Sequence, residues 1–139
     1  MEKKKIILDS DQLIKQVRKI RKKNKKIVLC HGVFDLLHLG HLNYFSAAKK
    51  MGDILFVSTT DDEFINKGPG RPVYKNFERM KLLESIEMID YVILSKSITP
   101  EKIINIVKPD IYAKGQDYKN NNNDITLNIL REKKLVKKN

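Results

Sequence analysis

Four short apolar runs punctuate the chain, at 27–30, 54–58, 91–94 and 111–113. They are apolar throughout instead of alternating with polar residues, the pattern of strands covered on both faces. Between them the spacing predicts helices. Ahead of the first run, Asp9, Ser10 and Asp11 offer caps for a helix whose apolar face is Leu13, Ile14, Val17 and Ile20, fading near Asn24. A second helix is predicted over 42–51, closed by Gly52, and a third over 77–88. A fourth begins at Thr99-Pro100-Glu101, with proline in its first turn, and stops before Pro109. Residues 60–75, with Gly68, Pro69, Gly70 and Pro72, read as a polar loop. Residues 114–124 read as an asparagine-rich loop, followed by a last helix to about residue 134. Strands that alternate with helices argue for an α/β fold with a doubly wound parallel sheet. The expected organisation is one domain over 1–139, with a leading helical segment at 1–25 and an α/β core at 26–134. Such sheets bind ligands beyond the carboxyl ends of their strands, at the switch point. The loops after 27–30, 54–58 and 111–113 are therefore where chemistry is expected.

Composition changes this picture little. A chain of 139 residues, 41% apolar and 32% charged, is ordinary for one globular domain and can bury a core without staples. The single cysteine, Cys30, cannot form an internal disulfide, and a reducing cytoplasm is the simplest setting. No apolar stretch is long enough to span a bilayer, so no membrane partner is expected. The net charge of +11 concentrates at 18–26 and 131–138. It would attract polyanions, but a lysine-rich solvated surface explains it as well. No aromatics interleave with the basic run to stack bases, so nucleic acid is not expected as a partner.

The chemistry concentrates at one place. All three histidines fall within His31-Gly-Val-Phe-Asp-Leu-Leu-His-Leu-Gly-His41, which follows the first strand and opens a helix. Backbone N–H groups and the positive end of a helix dipole make this a site for phosphate. His38 and His41, three apart, share a face of the first turn. Gly40 leaves room for a phosphate to approach the backbone. Two imidazoles placed so can donate to phosphate oxygens and stabilise charge gathering during an in-line displacement. Two histidines can also hold zinc, but a third ligand is not obvious. Asp35 is suited to fixing a histidine or the loop.

Gly32, Phe34, Asp35, His38, Gly40 and His41 match the Gly-x-Phe-Asp-x-x-His-x-Gly-His signature, and the chain resembles the cytidylyltransferase-like nucleotidyltransferase family from about Lys26 to Tyr118. Within it the chain is most similar to heptose-1-phosphate adenylyltransferase domains, and somewhat less to glycerol-3-phosphate cytidylyltransferase. The resemblance implies a Rossmann-like nucleotidyltransferase fold. It also implies transfer of a nucleoside monophosphate from ATP or CTP to a small phosphorylated substrate, with pyrophosphate released. His38, His41, Lys67 and Arg79 are implied as catalytic, Arg79 through an element Phe77-Glu78-Arg79-Met80 whose arginine faces the phosphates. Gly32, Val33, Phe34, Asp35 and Gly40 are implied to bind the nucleotide. So are Lys114, Gly115 and Asp117 of the loop Lys114-Gly115-Gln116-Asp117-Tyr118. Arg71 and Tyr118 are implied to hold the substrate. Magnesium is expected to accompany the triphosphate, with no dedicated metal cage in the sequence.

One departure stands out. The family continues with a further strand and a Ser/Thr-rich helix start, whereas this chain stops at Lys137-Lys138-Asn139 and Thr126 stands alone. The C-terminal strand and helix of the fold are thus expected to be missing, which leaves a sheet edge open to pairing and favours a homodimer. Two rivals remain at this stage. One is a CTP-dependent enzyme acting on glycerol 3-phosphate or another polyol phosphate. The other is a nucleotide- or nucleic-acid-binding module that has lost catalysis.

Overall fold

The computed structural model of the chain describes residues 5–65 and 68–114. The elements follow in the order β1 (Ile6–Ile7), α1 (Ser10–Lys22), β2 (Ile27–Gly32), α2 (Leu39–Lys49), β3 (Ile54–Thr60), a 3₁₀ turn (Asp62–Phe64), α3 (Asn76–Glu84), β4 (Tyr91–Ser95), α4 (Glu101–Val107) and β5 (Ile111–Lys114). The sheet is parallel throughout, in the order β1-β4-β3-β2-β5. From β2 the chain steps outward through β3 to β4, then returns to lay β5 on the other side of β2. The strand order therefore reverses between β2 and β5, the place where such sheets open a crevice.

Period-two alternation in the strands sends side chains to two cores. Val28 and Cys30 of β2, with Leu55 and Val57 of β3, pack under Tyr44, Phe45 and Ala48 of α2 and Met80 and Leu83 of α3. Ile27, Leu29 and Phe56 face the other way, under Leu13, Val17 and Ile20 of α1 and Ile103, Ile104 and Val107 of α4. This is the doubly wound arrangement that the unbroken apolar runs predict.

Several boundaries differ from the sequence reading. The leading segment is not helical alone: Ile6 and Ile7 pair with Val92 and Ile93 as an edge strand, two residues being too short for a periodic signal. In α1, Asp9 is the cap, accepting from the Gln12 N–H at 2.8 Å, and Ile14 lies off the buried face. Helix α2 begins three residues earlier than expected. Gly52 does not end it through a left-handed turn, since among the described glycines only Gly68 and Gly70 have positive φ. Gly52 is instead required sterically, because a Cβ there would lie 2.8 Å from Val28 Cγ2 and 3.0 Å from the Lys26 carbonyl oxygen. The left-handed cap falls at Lys108, just before Pro109. Pro100 caps α4 from outside its first turn. β3 runs on to Thr60 because the β-branched pair Thr59 and Thr60 continues the ladder against Leu94 and Ser95 of β4. The expected loop at 114–124 and the last helix lie outside the described residues, apart from Lys114 at the end of β5.

Candidate active site

The site forms where β2 ends. Gly32, Val33, Phe34 and Asp35 turn the chain from strand to helix. Phe34 sits at φ 50°, in the left-handed region that a bulky side chain enters only when its surroundings hold it there. Its ring lies 5.2 Å from Phe45, 6.5 Å from Tyr44 and 5.7 Å, edge-on, from His41. Gly32 makes this possible, since a Cβ on residue 32 would meet the Phe34 ring at 2.8–3.1 Å. The glycine therefore admits the phenylalanine, and the phenylalanine props the histidine.

His38 and His41 do more than share a face. His38 is the N-cap of α2, its Nδ1 accepting from the Gly40 N–H at 3.0 Å. His41 Nδ1 accepts from the His38 N–H at 3.2 Å. The two imidazoles thus close a reciprocal capping box, a task usually given to Ser or Thr and Glu. The rings lie 4.1 Å apart at 43°. An Nδ1 that accepts from an amide carries no proton, so each neutral ring has its proton on Nε2. Burial, and then the neighbouring His38, hold the His41 pKa below the usual imidazole value. Neutral His41 is the form its hydrogen bond requires.

Asp35 holds the loop after β3. Its carboxylate accepts from the Val73 N–H at 2.7 Å and the Tyr74 N–H at 2.8 Å, with Arg71 Nη1 at 3.4 Å. Burial alone would raise its pKa, but these donors together bring it below the usual carboxylate value. Arg71, expected to hold substrate, is thereby tethered beside the histidine turn with its side chain 43% exposed. Lys114 is exposed at the end of β5, in register with His31 of β2. Lys67, Gly115, Asp117 and Tyr118 lie outside the described residues.

Arg79, expected to face the phosphates, has a wholly buried side chain that makes hydrogen bonds to five protein oxygens. The acceptors include Thr59, Asp62 and Asn76, none of which the sequence reading singled out. A polar end to an otherwise apolar strand, Ser58-Thr59-Thr60, was the available signal. His31 also finds its partner there, its Nδ1 2.7 Å from Ser58 Oγ and its Nε2 3.4 Å from Thr60 Oγ1. Burial lowers the His31 pKa to about 4, so the ring is neutral at physiological pH. Cys30, below the turn, is inert: burial pushes its thiol up to about 12, against the smaller opposing effect of the Tyr44 hydroxyl. That hydroxyl also donates to the Ala113 carbonyl, tying α2 to β5 across the switch point.

A parallel doubly wound sheet with an imidazole-capped helix at its switch point is the architecture of a nucleotidyltransferase. The sequence model of the cytidylyltransferase-like family matches residues 29–139, and the chain belongs to that family. It is 43% identical over 115 residues to the bifunctional protein HldE of a Nitratiruptor species, covering 81% of this chain and 25% of that protein. It is 38% identical to the bifunctional protein HldE of Vibrio cholerae serotype O1, covering 81% and 24%. The chain thus spans about a quarter of the length of the curated relatives it matches. Among solved structures, a lipopolysaccharide core biosynthesis protein from Thermoplasma volcanium superposes with a TM-score of 0.59 at 30% identity, covering 74% of this chain and 88% of that one. A pantoate-beta-alanine ligase from Francisella tularensis, complexed with beta-gamma ATP and beta-alanine, shares the fold with a TM-score of 0.59 at 16% identity, covering 79% and 56%.

Proposed function

We propose that the chain transfers a nucleoside monophosphate from ATP to a sugar phosphate of the heptose 1-phosphate type. The observation that carries this reading is the imidazole capping box, which presents two Nε2–H tautomers at the N-terminus of α2. The similarity to HldE proteins supports the sugar-phosphate class of acceptor. An oxygen of the acceptor's phosphate, already ionised at neutral pH, attacks the α-phosphorus in line. The bond to the β-phosphate oxygen breaks, its electron pair leaves with pyrophosphate, and no general base is needed. As charge gathers on the α-phosphate oxygens, the Nε2–H groups of His38 and His41 stabilise it, together with the positive end of α2. Arg71 and Lys67 offset phosphate charge from the loop after β3.

Among the described residues no group of three or more His, Cys, Asp or Glu side chains could hold a metal ion. The mechanism takes no step through magnesium, which in this reading arrives on the triphosphate. Among the same residues no helix is long and apolar enough to cross a membrane.

The test is a pyrophosphate-release screen of the purified chain with ATP and CTP against heptose, hexose and polyol phosphates. ATP-dependent release with a sugar 1-phosphate is the expected result. CTP-dependent release with glycerol 3-phosphate would replace this reading with the cytidylyltransferase one. Release with no donor–acceptor pair, alongside salt-sensitive oligonucleotide binding, would favour a binding module.

A further inference from the structure

Arg79 is the largest fully buried side chain among the described residues. Its Nε donates to the Tyr74 carbonyl at 3.0 Å. Nη1 donates to the Val33 carbonyl at 2.8 Å and Thr59 Oγ1 at 2.6 Å. Nη2 donates to Asp62 Oδ1 and Asn76 Oδ1, both at 2.8 Å. A guanidinium has five N–H donors, so these bonds use its whole capacity. A phosphate could recruit this arginine only by taking donors from acceptors that would then be left buried.

The acceptors lie on the segments that build the site. Val33 belongs to the turn before His38, and Tyr74 to the loop that carries Arg71. Thr59 closes the triangle, donating its own hydroxyl to the Val33 carbonyl at 2.7 Å while accepting from Arg79. Asp62 and Asn76 bond each other reciprocally, the Asp62 N–H to Asn76 Oδ1 at 2.8 Å and the Asn76 N–H to Asp62 Oδ2 at 3.2 Å, which fixes the far end of the loop. From the opposite side, Asp35 takes the N–H groups of Val73 and Tyr74. Tyr74 is thus gripped at its N–H by Asp35 and at its carbonyl by Arg79, and the two loops form one tied unit.

We propose that Arg79 is a positioning residue. Acting through Val33 and Tyr74, with Thr59, Asp62 and Asn76 as its anchors, it holds the loop bearing Arg71 in register with His38 and His41 and does not bind the triphosphate. The kinetic part of this inference rests on the nucleotidyl-transfer reading, and the structural part on the hydrogen bonds alone. Misplacing a reacting group by about 1 Å can cost on the order of a hundredfold in rate.

The test uses the full chain with three substitutions. Thr59→Val keeps the side chain's shape and removes its hydrogen bonds to Arg79 and Val33. Arg79→Lys keeps the charge on one nitrogen, which cannot span acceptors in this many directions, and Arg79→Met removes the charge. The expected result is a fall in kcat of roughly tenfold or more for Thr59→Val and Arg79→Lys, with KM for the triphosphate within about twofold of wild type. Arg79→Met should resemble Arg79→Lys, and the Val73 and Tyr74 amides should lose protection from hydrogen exchange in Thr59→Val. Recovery of most of the activity by lysine relative to methionine, with KM raised in both, would overturn the proposal, because a phosphate ligand behaves that way. So would a Thr59→Val variant with wild-type kcat and wild-type exchange, an outcome readable even if neither Arg79 variant folds. If the wild-type chain releases no pyrophosphate, the nucleotidyl-transfer reading fails on its own, and exchange at Val73 and Tyr74 still decides whether Arg79 and Thr59 hold the loop.

Discussion

Replacing Gly32 with alanine should damage catalysis through Phe34. The added Cβ would lie 2.8 Å from one ring atom of Phe34 and 3.0 and 3.1 Å from two more. Ordinary carbon–carbon contact begins near 3.5 Å, so the nearest ring atom must retreat by about 0.7 Å. It has little room to do so, being 7% exposed and hemmed in by Phe45, Tyr44 and His41. Rotating the residue back to negative φ would relieve its backbone but swing Asp35 away from the Val73 and Tyr74 amides. Overpacking of this kind costs about 1–3 kcal/mol, which in a domain of this size lowers Tm by roughly 3–10 °C. The larger effect should be kinetic. The His41 ring rests edge-on against Phe34, so displacing one displaces the other, and kcat for pyrophosphate release should fall by about tenfold or more. Thermal melts monitored by circular dichroism and steady-state pyrophosphate release measure the two effects. A Gly32→Ala chain with Tm within a degree of wild type and unchanged kcat would refute the chain of contacts from glycine to histidine.

Three further outcomes follow from the same geometry. His38→Asn keeps a good helix cap while removing the Nε2–H donor, so Tm should hold while kcat drops about a hundredfold or more; equal loss of both would mean that His38 serves the helix alone. His31 is neutral in the fold, with a pKa near 4 against 6.5 for the free side chain. The unfolded chain therefore binds the extra proton first, and stability should fall as pH drops from 6.5 towards 4, by up to about 3 kcal/mol. Denaturant melts of wild type and His31→Gln across that window isolate the contribution, and parallel pH profiles would disprove it. Cys30, buried with its thiol raised to about 12, should resist thiol reagents in the native chain and react stoichiometrically in denaturant; fast native labelling would show that the core beneath the turn opens.

Much of this architecture was legible in the sequence because it is written in unbroken apolar runs. Ile27 to Cys30 and Leu55 to Val57 face a helix on each side, which is how a doubly wound sheet buries both faces of such strands. The histidine turn was legible because its residues lie within ten positions, between a strand and a helix start, with His38 and His41 three apart; the contacts from Gly32 through Phe34 to His41 were not. Partners distant in sequence were not legible. Nothing in the spacing of Thr59, Asp62, Asn76 and Arg79 says that they converge, because the fold brings together the ends of β2, β3 and α3 to make them meet. An arginine beside a phosphate site reads as a phosphate ligand, and only its burial and five acceptors show that its donors are already engaged. The two-residue strand β1 escaped for a different reason, since its identity comes from pairing with β4.

The histidine box at the start of α2 is an unusual way to close a helix. Serine, threonine, aspartate and asparagine are the preferred helix caps. Capping alone does not call for histidine at position 38, nor for a second one at position 41. In the proposed function the same two imidazoles would serve twice, closing the helix through Nδ1 and meeting phosphate through Nε2, so that one helix start carries both a structural and a chemical duty.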